Sequence, residues 1–359
     1  MWPDNTLINR LGLELPIVQA PMAGAAGVEL ARAAIDAGAL GSLPCAMLTA
    51  DAAREQIGQV RRHSSGALNL NFFCHKPPDA NTSDAGWKQV LKPHYDALGV
   101  TSAPANTPQR APFDEAMCAV VEETSPEVVS FHFGLPDAAL LERVKRTGAL
   151  VLSTATTVRE ARWLEGNGCD VIIAQGAEAG GHRGMFLSDE ISTQPGTFAL
   201  VPQVADAVAI PVIAAGGIGD GRGMVAAFAL GACAVQVGTA YLLTDESRIG
   251  AWHRQALQAA ADDSTALTNI FSGRPARGIM NHAMRTLGPL SDLAPPFPTA
   301  GAGLAPLKAK AEADGSGDYS SMWSGQAPGF AKPGSAAALT GAMAEQARDI
   351  LKSRADRSR

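Results

Sequence analysis

The sequence predicts an α/β fold, a (β/α)8 TIM barrel followed by a C-terminal cap. Between residues 16 and 238, eight short apolar runs alternate with segments of helical periodicity. Such alternation indicates a parallel sheet, and runs that are apolar on both faces are typical of strands covered on both sides. Eight units in this length match the barrel. A doubly wound sheet, the structural alternative, is disfavoured because no dinucleotide-binding glycine motif follows the first strand.

The predicted elements follow one another along the chain. Strands are predicted over residues 16–20, 39–42, 67–72, 127–131, 149–154, 170–175, 211–215 and 234–238. Helical periodicity predicts helices over residues 28–37, 50–62, 137–147, 158–167, 223–230 and 335–352. We expect residues 1–245 to form the barrel and residues 246–359 to form a helical and loop cap packed on it, ending in a helix. The pattern predicts no fold for the segment 79–112.

Composition disfavours several classes of protein. The 359 residues carry 29 basic and 35 acidic side chains, a net charge of -6, which favours neither nucleic acid nor an anionic membrane surface as a partner. No apolar run reaches the ~18 residues of a membrane-spanning helix, and no secretory signal pattern is visible. The five cysteines are widely spaced without a CxxC pair, so we expect no disulfide framework, no zinc site and a cytoplasmic location. The expected partner is a small molecule, bound by a monomer or homodimer.

Glycine is concentrated where the sixth, seventh and eighth strands end. The seventh strand runs into a Gly-Gly-Ile-Gly sequence that contains Gly217, and the eighth runs into Gly238-Thr239. Loops after the last two strands of this barrel commonly bind phosphate, because bare backbone lets an anion approach main-chain N–H groups. Gly217, Gly238 and Thr239 are therefore candidate phosphate ligands. The alternative, that these glycines only shape tight turns, stays open.

Three histidines follow predicted strands, at the end of a barrel where active sites form. His182 comes after a Gly-Gly pair, and its titration range suits proton transfer or anion binding; a loop histidine that caps a carbonyl is the alternative. His132 ends the fourth strand, either as a ligand contact or as a core histidine. His75 follows the third strand and is a weaker candidate. The remaining histidines are expected to have no functional role: His63, His94, His253 and His282.

Two carboxamides at strand ends fit a flat heterocycle better than a sugar phosphate alone. Asn71 ends the third strand and Gln175 ends the sixth, and each side chain both donates and accepts hydrogen bonds, as the pyrimidine edge of a flavin requires. Main-chain groups around Met22, after the first strand, can face the same ring. No cluster of Asp, Glu and His has metal-ligand spacing, and no G-x-S-x-G sequence occurs. A metalloenzyme and a covalent hydrolase are thereby disfavoured.

Several motifs along the chain point together to one family. They are Gln19-Ala20-Pro21-Met22-Ala23, Asn69-Leu70-Asn71-Phe72-Phe73, the glycine-rich run 175–184, Ala215-Gly216-Gly217-Ile218, Gln236-Val237-Gly238-Thr239 and Trp323-Ser324-Gly325-Gln326. In this combination the chain resembles the nitronate monooxygenases, formerly called 2-nitropropane dioxygenases, over about residues 10–330. The last motif is similar to the family's C-terminal Trp-x-Gly-Gln sequence.

The resemblance implies non-covalent FMN on the barrel, with the phosphate on Gly217, Gly238 and Thr239. The residues that it implies near the isoalloxazine ring are Met22, Asn71, Gln175, Gly180 and Gly181, with Gln236, Gly325 and Gln326 as further contacts. His182 corresponds to the family's catalytic histidine. His132 corresponds to the histidine that one branch of the family carries after the fourth strand, and we expect it at the catalytic centre as well.

The implied reaction is the oxidation of an alkyl nitronate, with propionate 3-nitronate as the leading candidate. The nitronate gives one electron to FMN, O2 completes the oxidation, and a carbonyl compound and nitrite are released without a reduced nicotinamide. His182 would act as a base toward a neutral nitroalkane, or as a positive partner for a nitronate that arrives ready-made.

The chain departs from the family pattern in its C-terminal cap. Family members of this type carry tyrosines there, whereas this chain has Pro295-Pro296-Phe297-Pro298 and its nearest tyrosine is Tyr319; Lys308 still offers a positive charge for a carboxylate. Two other functions remain as alternatives: a related FMN-dependent enoyl-acyl-carrier-protein reductase that uses NADH, and a barrel that binds flavin or phosphate without turnover.

Overall fold

The computed structural model of the chain describes residues 2–78, 83–101 and 110–357. Its strands are β1 Ile17–Gln19, β2 Gly41–Pro44, β3 Leu68–Phe73, β4 Val128–His132, β5 Leu150–Ala155, β6 Val171–Gln175, β7 Gly181–His182, β8 Val212–Ala215, β9 Ala234–Val237, β10 Thr265–Thr268 and β11 Ala276–Ile279. Its α-helices are α1 Thr6–Leu11, α2 Val28–Asp36, α3 Ala50–Arg61, α4 Ala85–Leu98, α5 Glu115–Thr124, α6 Ala138–Arg146, α7 Val158–Gly166, α8 Thr197–Ala205, α9 Gly221–Ala229, α10 Ala251–Ala259, α11 His282–Thr286, α12 Ala300–Ala313 and α13 Ala336–Arg357. The eight predicted strands and six predicted helices are confirmed, with ends shifted by a few residues.

The barrel is a sheet of eight parallel strands in the order β1-β9-β8-β6-β5-β4-β3-β2. A bridge between Val18 and Leu40 links β1 to the segment before β2 and closes the ring. The strands are buried because their Val, Ile and Leu side chains face either the barrel interior or the surrounding helices. The TIM-barrel prediction is therefore confirmed, and all eight strands end at one face of the molecule.

The last helix, α13, returns to the barrel and packs against both α2 and α9. Small side chains make this contact close: a Cβ added at Gly221, the first residue of α9, would lie 2.4 Å from the backbone nitrogen of Ala347. Ala336, Met343 and Ala347 are buried in the same core as the strands. The division of the chain at residue 245 stays a prediction.

Residues beyond the barrel also pair with one of its loops. Strands β10 and β11 form an antiparallel sheet with β7, the short strand after β6 that contains His182. Helix α4, in the segment for which no fold was predicted, packs on α12 through Trp87, Leu91 and Leu304; residues 79–82 and 102–109 of that segment lie outside the described residues. None of the helices in the described part of the chain has the length and apolar character to cross a membrane.

Candidate active site

A cavity of about 420 Å³ opens where the barrel strands end. Its volume lies within the usual range for small-molecule and cofactor pockets. The cavity is lined by residues at the ends of several barrel strands and by residues between 320 and 327. All of the predicted site residues line this one cavity: His182, His132, Met22, Asn71, Gln175, Gly180, Gly181, Gly217, Gln236, Gly238 and Thr239.

Glycine backbone forms one side of the cavity, after β8 and β9. Gly216 and Gly217 have φ values of 116° and 70°, in a region where an ordinary side chain is strained. Gly238 precedes a short 3-10 helix, Thr239–Leu243. A Cβ added at Gly217 or Gly238 would come no closer than 3.5 Å to any atom, so no other part of the protein crowds this backbone. Backbone N–H groups exposed in this way suit an anion such as phosphate.

Glu178 lies beside this glycine backbone, and helix α8 holds its charge. The carboxylate accepts hydrogen bonds from the Thr197 backbone N–H at 2.9 and 2.8 Å and from the Thr197 hydroxyl at 2.8 Å. Thr197 is the first residue of α8, so the carboxylate lies at the positive end of the helix dipole. An anion in the cavity therefore meets a carboxylate that is already hydrogen-bonded, not an uncompensated negative charge.

The glycine-rich loop after β6 contacts the C-terminal Trp-x-Gly-Gln sequence. A Cβ added at Gly180 would lie 2.6 Å from the backbone nitrogen of Gly325, so the two backbones touch only because residue 180 has no side chain. The Gly325 N–H donates to Thr239 Oγ1 at 2.9 Å. Gly325 lines the cavity, whereas the Gln326 N–H donates to the Glu178 carbonyl at 2.9 Å.

The three carboxamide side chains at the cavity differ in how many of their hydrogen-bonding atoms already have a partner in the protein. Both ends of the Gln175 carboxamide have partners in the protein: Nε2 donates to the His182 carbonyl at 2.9 Å, and Oε1 accepts from the Gly184 N–H at 2.8 Å. Asn71 donates to Ser130 Oγ at 2.9 Å. The Oε1 atom of Gln236 is buried and has no hydrogen-bond partner among the described residues. Such an oxygen is costly unless a ligand supplies a donor, so Gln236 indicates where a ligand N–H binds.

Pairing between strands holds His182 at the cavity. His182 lies opposite Ala276 in the β7–β11 pair. Its carbonyl accepts hydrogen bonds from Gln175 Nε2 at 2.9 Å and from His132 Nε2 at 3.2 Å. Its ring Nε2 lies 2.8 Å from Ser272 Oγ. The backbone and the ring of His182 are therefore both fixed, while the ring still borders the cavity.

His182 and His132 both lie in surroundings that favour the neutral imidazole. Burial lowers the pKa of His182 well below its ordinary value, and the charge of Arg110 lowers it further. Burial also lowers the pKa of His132 to about 4. His132 has partners at both ring nitrogens, because Nε2–H donates to the His182 carbonyl and Nδ1 lies 3.0 Å from Thr154 Oγ1. His182 therefore remains the better-placed proton acceptor.

Three aromatic rings pack around His182. The ring centres of Phe297, Trp323 and Phe133 lie 5.4, 5.5 and 6.0 Å from that of His182. We call Phe133, Phe297 and Trp323 the aromatic box. Its rings cover part of the histidine and contribute to the desolvation that lowers the histidine pKa.

Several residues of this site were not predicted. Ser272 lies 90 positions from His182 in the sequence, so no local pattern marks their contact. Arg274 and Arg110 lie over the aromatic box, with Cζ atoms 4.4 Å from the Phe133 ring centre and 5.8 Å from the Phe297 ring centre. His253, for which no functional role was expected, lines the cavity, and its Nε2 lies 3.0 Å from the Trp323 carbonyl.

Two curated relatives and a family model match nearly the whole chain. The family model described as nitronate monooxygenase matches residues 4–345. A nitronate monooxygenase from Paraburkholderia phytofirmans is 40% identical over 350 residues, which cover 96% of this chain and 95% of the relative. A nitronate monooxygenase from Pseudomonas aeruginosa is 38% identical, with coverage of 94% of this chain and 97% of the relative.

Solved structures with the same fold support this relationship. Nitroalkane oxidase from Streptomyces ansochromogenes has a TM-score of 0.88 and 36% identity, covering 97% of this chain and 99% of its own. FabK from Thermotoga maritima is less similar, with a TM-score of 0.74 and 26% identity, covering 98% of each chain. The chain therefore belongs to the nitronate monooxygenase family of flavin-dependent oxidoreductases.

Proposed function

We propose that the protein is an FMN-dependent nitronate monooxygenase that oxidises propionate 3-nitronate, or a related alkyl nitronate, with O2. The products are a carbonyl compound and nitrite. The observation that carries the proposal is the position of His182, a half-buried imidazole that borders a cavity also lined by glycine backbone. Family membership supports the same reaction.

The residues at the cavity fit FMN. Gly217, Gly238 and Thr239 would hold the phosphate through backbone N–H groups and the threonine hydroxyl. The residues proposed around the ring are Met22, Asn71, Gln175, Gly180, Gly181 and Gln236. Gln236 supports the assignment most directly, because a ring N–H would satisfy its orphaned Oε1. Bound FMN would supply one-electron oxidation of the substrate and the reaction with O2, chemistry that side chains do not provide.

His182 moves the proton when the substrate is a neutral nitroalkane. Ser272 Oγ donates to the Arg274 carbonyl at 3.3 Å, so it is free to accept a hydrogen bond from His182 Nε2–H. That arrangement leaves His182 Nδ1 as the unprotonated base. When the substrate is already a nitronate, no proton is removed. The bound anion would then raise the histidine pKa that burial lowers, so that the imidazolium could pair with it.

His132 positions His182 in this proposal. Its Nε2–H holds the His182 carbonyl, and Thr154 fixes its other nitrogen. With both nitrogens occupied and the pKa lowered to about 4, His132 has no nitrogen left for the substrate proton. Its predicted place at the catalytic centre stays a proposal, with the role of orienting the base.

Anaerobic mixing of the FMN-loaded protein with propionate 3-nitronate, and separately with NADH, tests the proposed function. We expect the nitronate alone to reduce the flavin, seen as loss of absorbance near the visible flavin maximum, while NADH leaves it oxidised. Rapid bleaching by NADH without a response to the nitronate would favour the enoyl-acyl-carrier-protein reductase alternative and overturn the proposal. Protein that takes up no FMN would overturn the cofactor assignment.

The cellular setting is part of the same proposal. All five cysteines are free, which suits a reducing compartment such as the cytoplasm. A monomer or homodimer that binds only small molecules remains our prediction.

A further inference from the structure

Two arginines beside the active site lack an anionic partner among the described residues. The Arg110 and Arg274 side chains appear in no ion pair within the described part of the chain. Arg110 Nε and Arg274 Nη1 are buried and have no hydrogen-bond partner there. A buried guanidinium nitrogen without an acceptor is costly, so each of these two nitrogens needs a physical explanation.

Both guanidinium groups lie one phenyl ring away from His182. The Arg274 Cζ is 4.4 Å from the Phe133 ring centre, and the Arg110 Cζ is 5.8 Å from the Phe297 ring centre. Each of these phenyl rings packs on the His182 imidazole, with ring centres 6.0 and 5.4 Å away. Contact with an aromatic face offsets part of the charge but supplies no hydrogen-bond acceptor.

The carboxylates nearest Arg274 do not neutralise it by direct contact. Glu160 and Asp189 both act on its pKa at a distance. Glu160 is buried, but its oxygens accept hydrogen bonds from Thr156 and from the backbone N–H of Phe186. Asp189 is exposed to solvent. Burial lowers the pKa of both arginines. A bound anion would oppose this effect, because it stabilises the charged guanidinium.

The protein holds both arginines in place by contacts that do not use their charge. The Arg274 backbone N–H donates to Ser272 Oγ at 3.4 Å, the hydroxyl that contacts the His182 ring. On the other side, the His75 ring packs edge-on against Phe297, the ring that Arg110 lies over, with ring centres 4.7 Å apart. His75, a weaker candidate from the sequence, therefore supports the phenyl ring beside Arg110. The two charges are fixed at positions set by the active site itself.

We infer that Arg110 and Arg274 form a carboxylate-binding subsite that makes the enzyme selective for nitro compounds carrying a carboxylate. Arg110 lines the cavity and is the direct contact, while Arg274 adds charge from behind Phe133. A planar guanidinium binds a carboxylate through two parallel hydrogen bonds, which a neutral alkyl chain does not offer. This inference rests on the proposed function for its substrate class. Phe297, by contrast, offers only an apolar face.

Lys308 and Arg248 are competing cations, because both also line the cavity, but neither has a buried nitrogen without a partner among the described residues. The Lys308 Nζ is 3.9 Å from Glu312 Oε1, so part of its charge already has a partner within the protein. The unpaired nitrogens of Arg110 and Arg274 distinguish them from Lys308 and Arg248.

Ligand binding to the FMN-loaded protein tests the subsite, and the titrations are kept anaerobic so that turnover with O2 is prevented. The probes are 3-nitropropionate and 1-nitropropane, which share a nitro group and differ in the carboxylate, and calorimetry gives the dissociation constant of each. Variants Arg110→Gln and Arg274→Gln remove one charge each, and Arg110→Lys keeps the charge without the planar fork. The control is Arg54→Gln, which removes an arginine paired with Glu123 on the surface of α3.

We expect Arg110→Gln to weaken 3-nitropropionate binding at least tenfold and to leave 1-nitropropane binding within about twofold. Arg110→Lys should fall between Arg110→Gln and the native protein, Arg274→Gln should weaken 3-nitropropionate severalfold, and Arg54→Gln should change neither probe. Equal loss for both probes, no loss for either, or no binding of 3-nitropropionate to the native protein would overturn the inference. Because calorimetry measures binding directly, it tests the carboxylate subsite even where anaerobic mixing fails to show nitronate oxidation.

Discussion

The two sides of the cavity offer a ligand different kinds of contact. The side after β6, β8 and β9 is glycine backbone, in which Gly180, Gly217 and Gly238 contribute N–H groups and close approach. The other side consists of side chains from several segments: His132 in β4, His182 in β7, the aromatic box and two arginines without ion pairs in the described part of the chain. Backbone N–H groups bind a phosphate without distinguishing the molecule that carries it. Buried side chains, in contrast, have shifted pKa values and can take part in proton transfer.

This difference assigns separate tasks to the two sides. We expect the glycine side to determine cofactor affinity and the side-chain side to determine proton transfer and substrate choice. A substitution on one side should then change one property and spare the other.

The largest effect is expected for His182→Asn, which removes the base and keeps a polar side chain of similar shape. Steady-state kinetics with neutral nitroethane should show kcat/KM falling by about 10²- to 10⁴-fold, the usual contribution of general base catalysis. Flavin content should not change. The control is His63→Asn at an exposed surface position. Retained activity toward nitroethane in His182→Asn would remove this residue from the mechanism.

The next effect is expected for Gly180→Ala, on the glycine side. The new Cβ would lie 2.6 Å from the Gly325 nitrogen, and overpacking of this kind costs about 2 kcal/mol. Equilibrium dialysis should show FMN affinity reduced by about 30-fold. Gly341→Ala is the matched control, because a Cβ there meets nothing within 4 Å. Unchanged FMN affinity in Gly180→Ala would show that this loop contact does not shape the cofactor site.

A smaller effect is expected for Ser272→Ala, which removes the hydroxyl 2.8 Å from His182 Nε2. One such hydrogen bond contributes about 1 kcal/mol, so kcat/KM for nitroethane should fall about fivefold with FMN affinity unchanged. Ser353→Ala on the exposed face of α13 is the control. A loss as large as that of His182→Asn would mean that Ser272 takes part in proton transfer itself.

The smallest change is expected in the dependence on pH. The pKa of His182 is lowered, so the imidazolium forms only when pH falls below the pKa in the folded enzyme, and the basic form persists above it. The kcat/KM for nitroethane should vary less than about twofold between pH 7.5 and 6.5 and decline at lower pH. A decline that begins above pH 7 would contradict the neutral, desolvated histidine described here.

The sequence predicted the barrel and the glycine side because both have local signals. Buried parallel strands appear as short apolar runs, and a loop that must approach a ligand appears as glycine next to a strand end, as at Gly217. His182 was found in the same way, since it directly follows a Gly-Gly pair.

The side-chain side was only partly predictable. Ser272 reaches His182, and Arg274 reaches Phe133, because β11 pairs with β7. This contact joins residues far apart in the chain, which periodicity does not reveal. Arg110 lies in the segment 79–112, for which the pattern predicted no fold. Nor does sequence alone show that Gln175 is occupied by the His182 loop while Gln236 keeps an orphaned oxygen.

Turnover per bound flavin, measured with nitroethane at saturating FMN in Gly180→Ala and His182→Asn, tests the separation of tasks most directly. The account predicts that Gly180→Ala keeps the native turnover per bound flavin within about threefold. His182→Asn should bind FMN fully and lose at least 100-fold of that turnover. If turnover per bound flavin falls equally in both variants, the two sides of the cavity do not act separately, and the account is wrong.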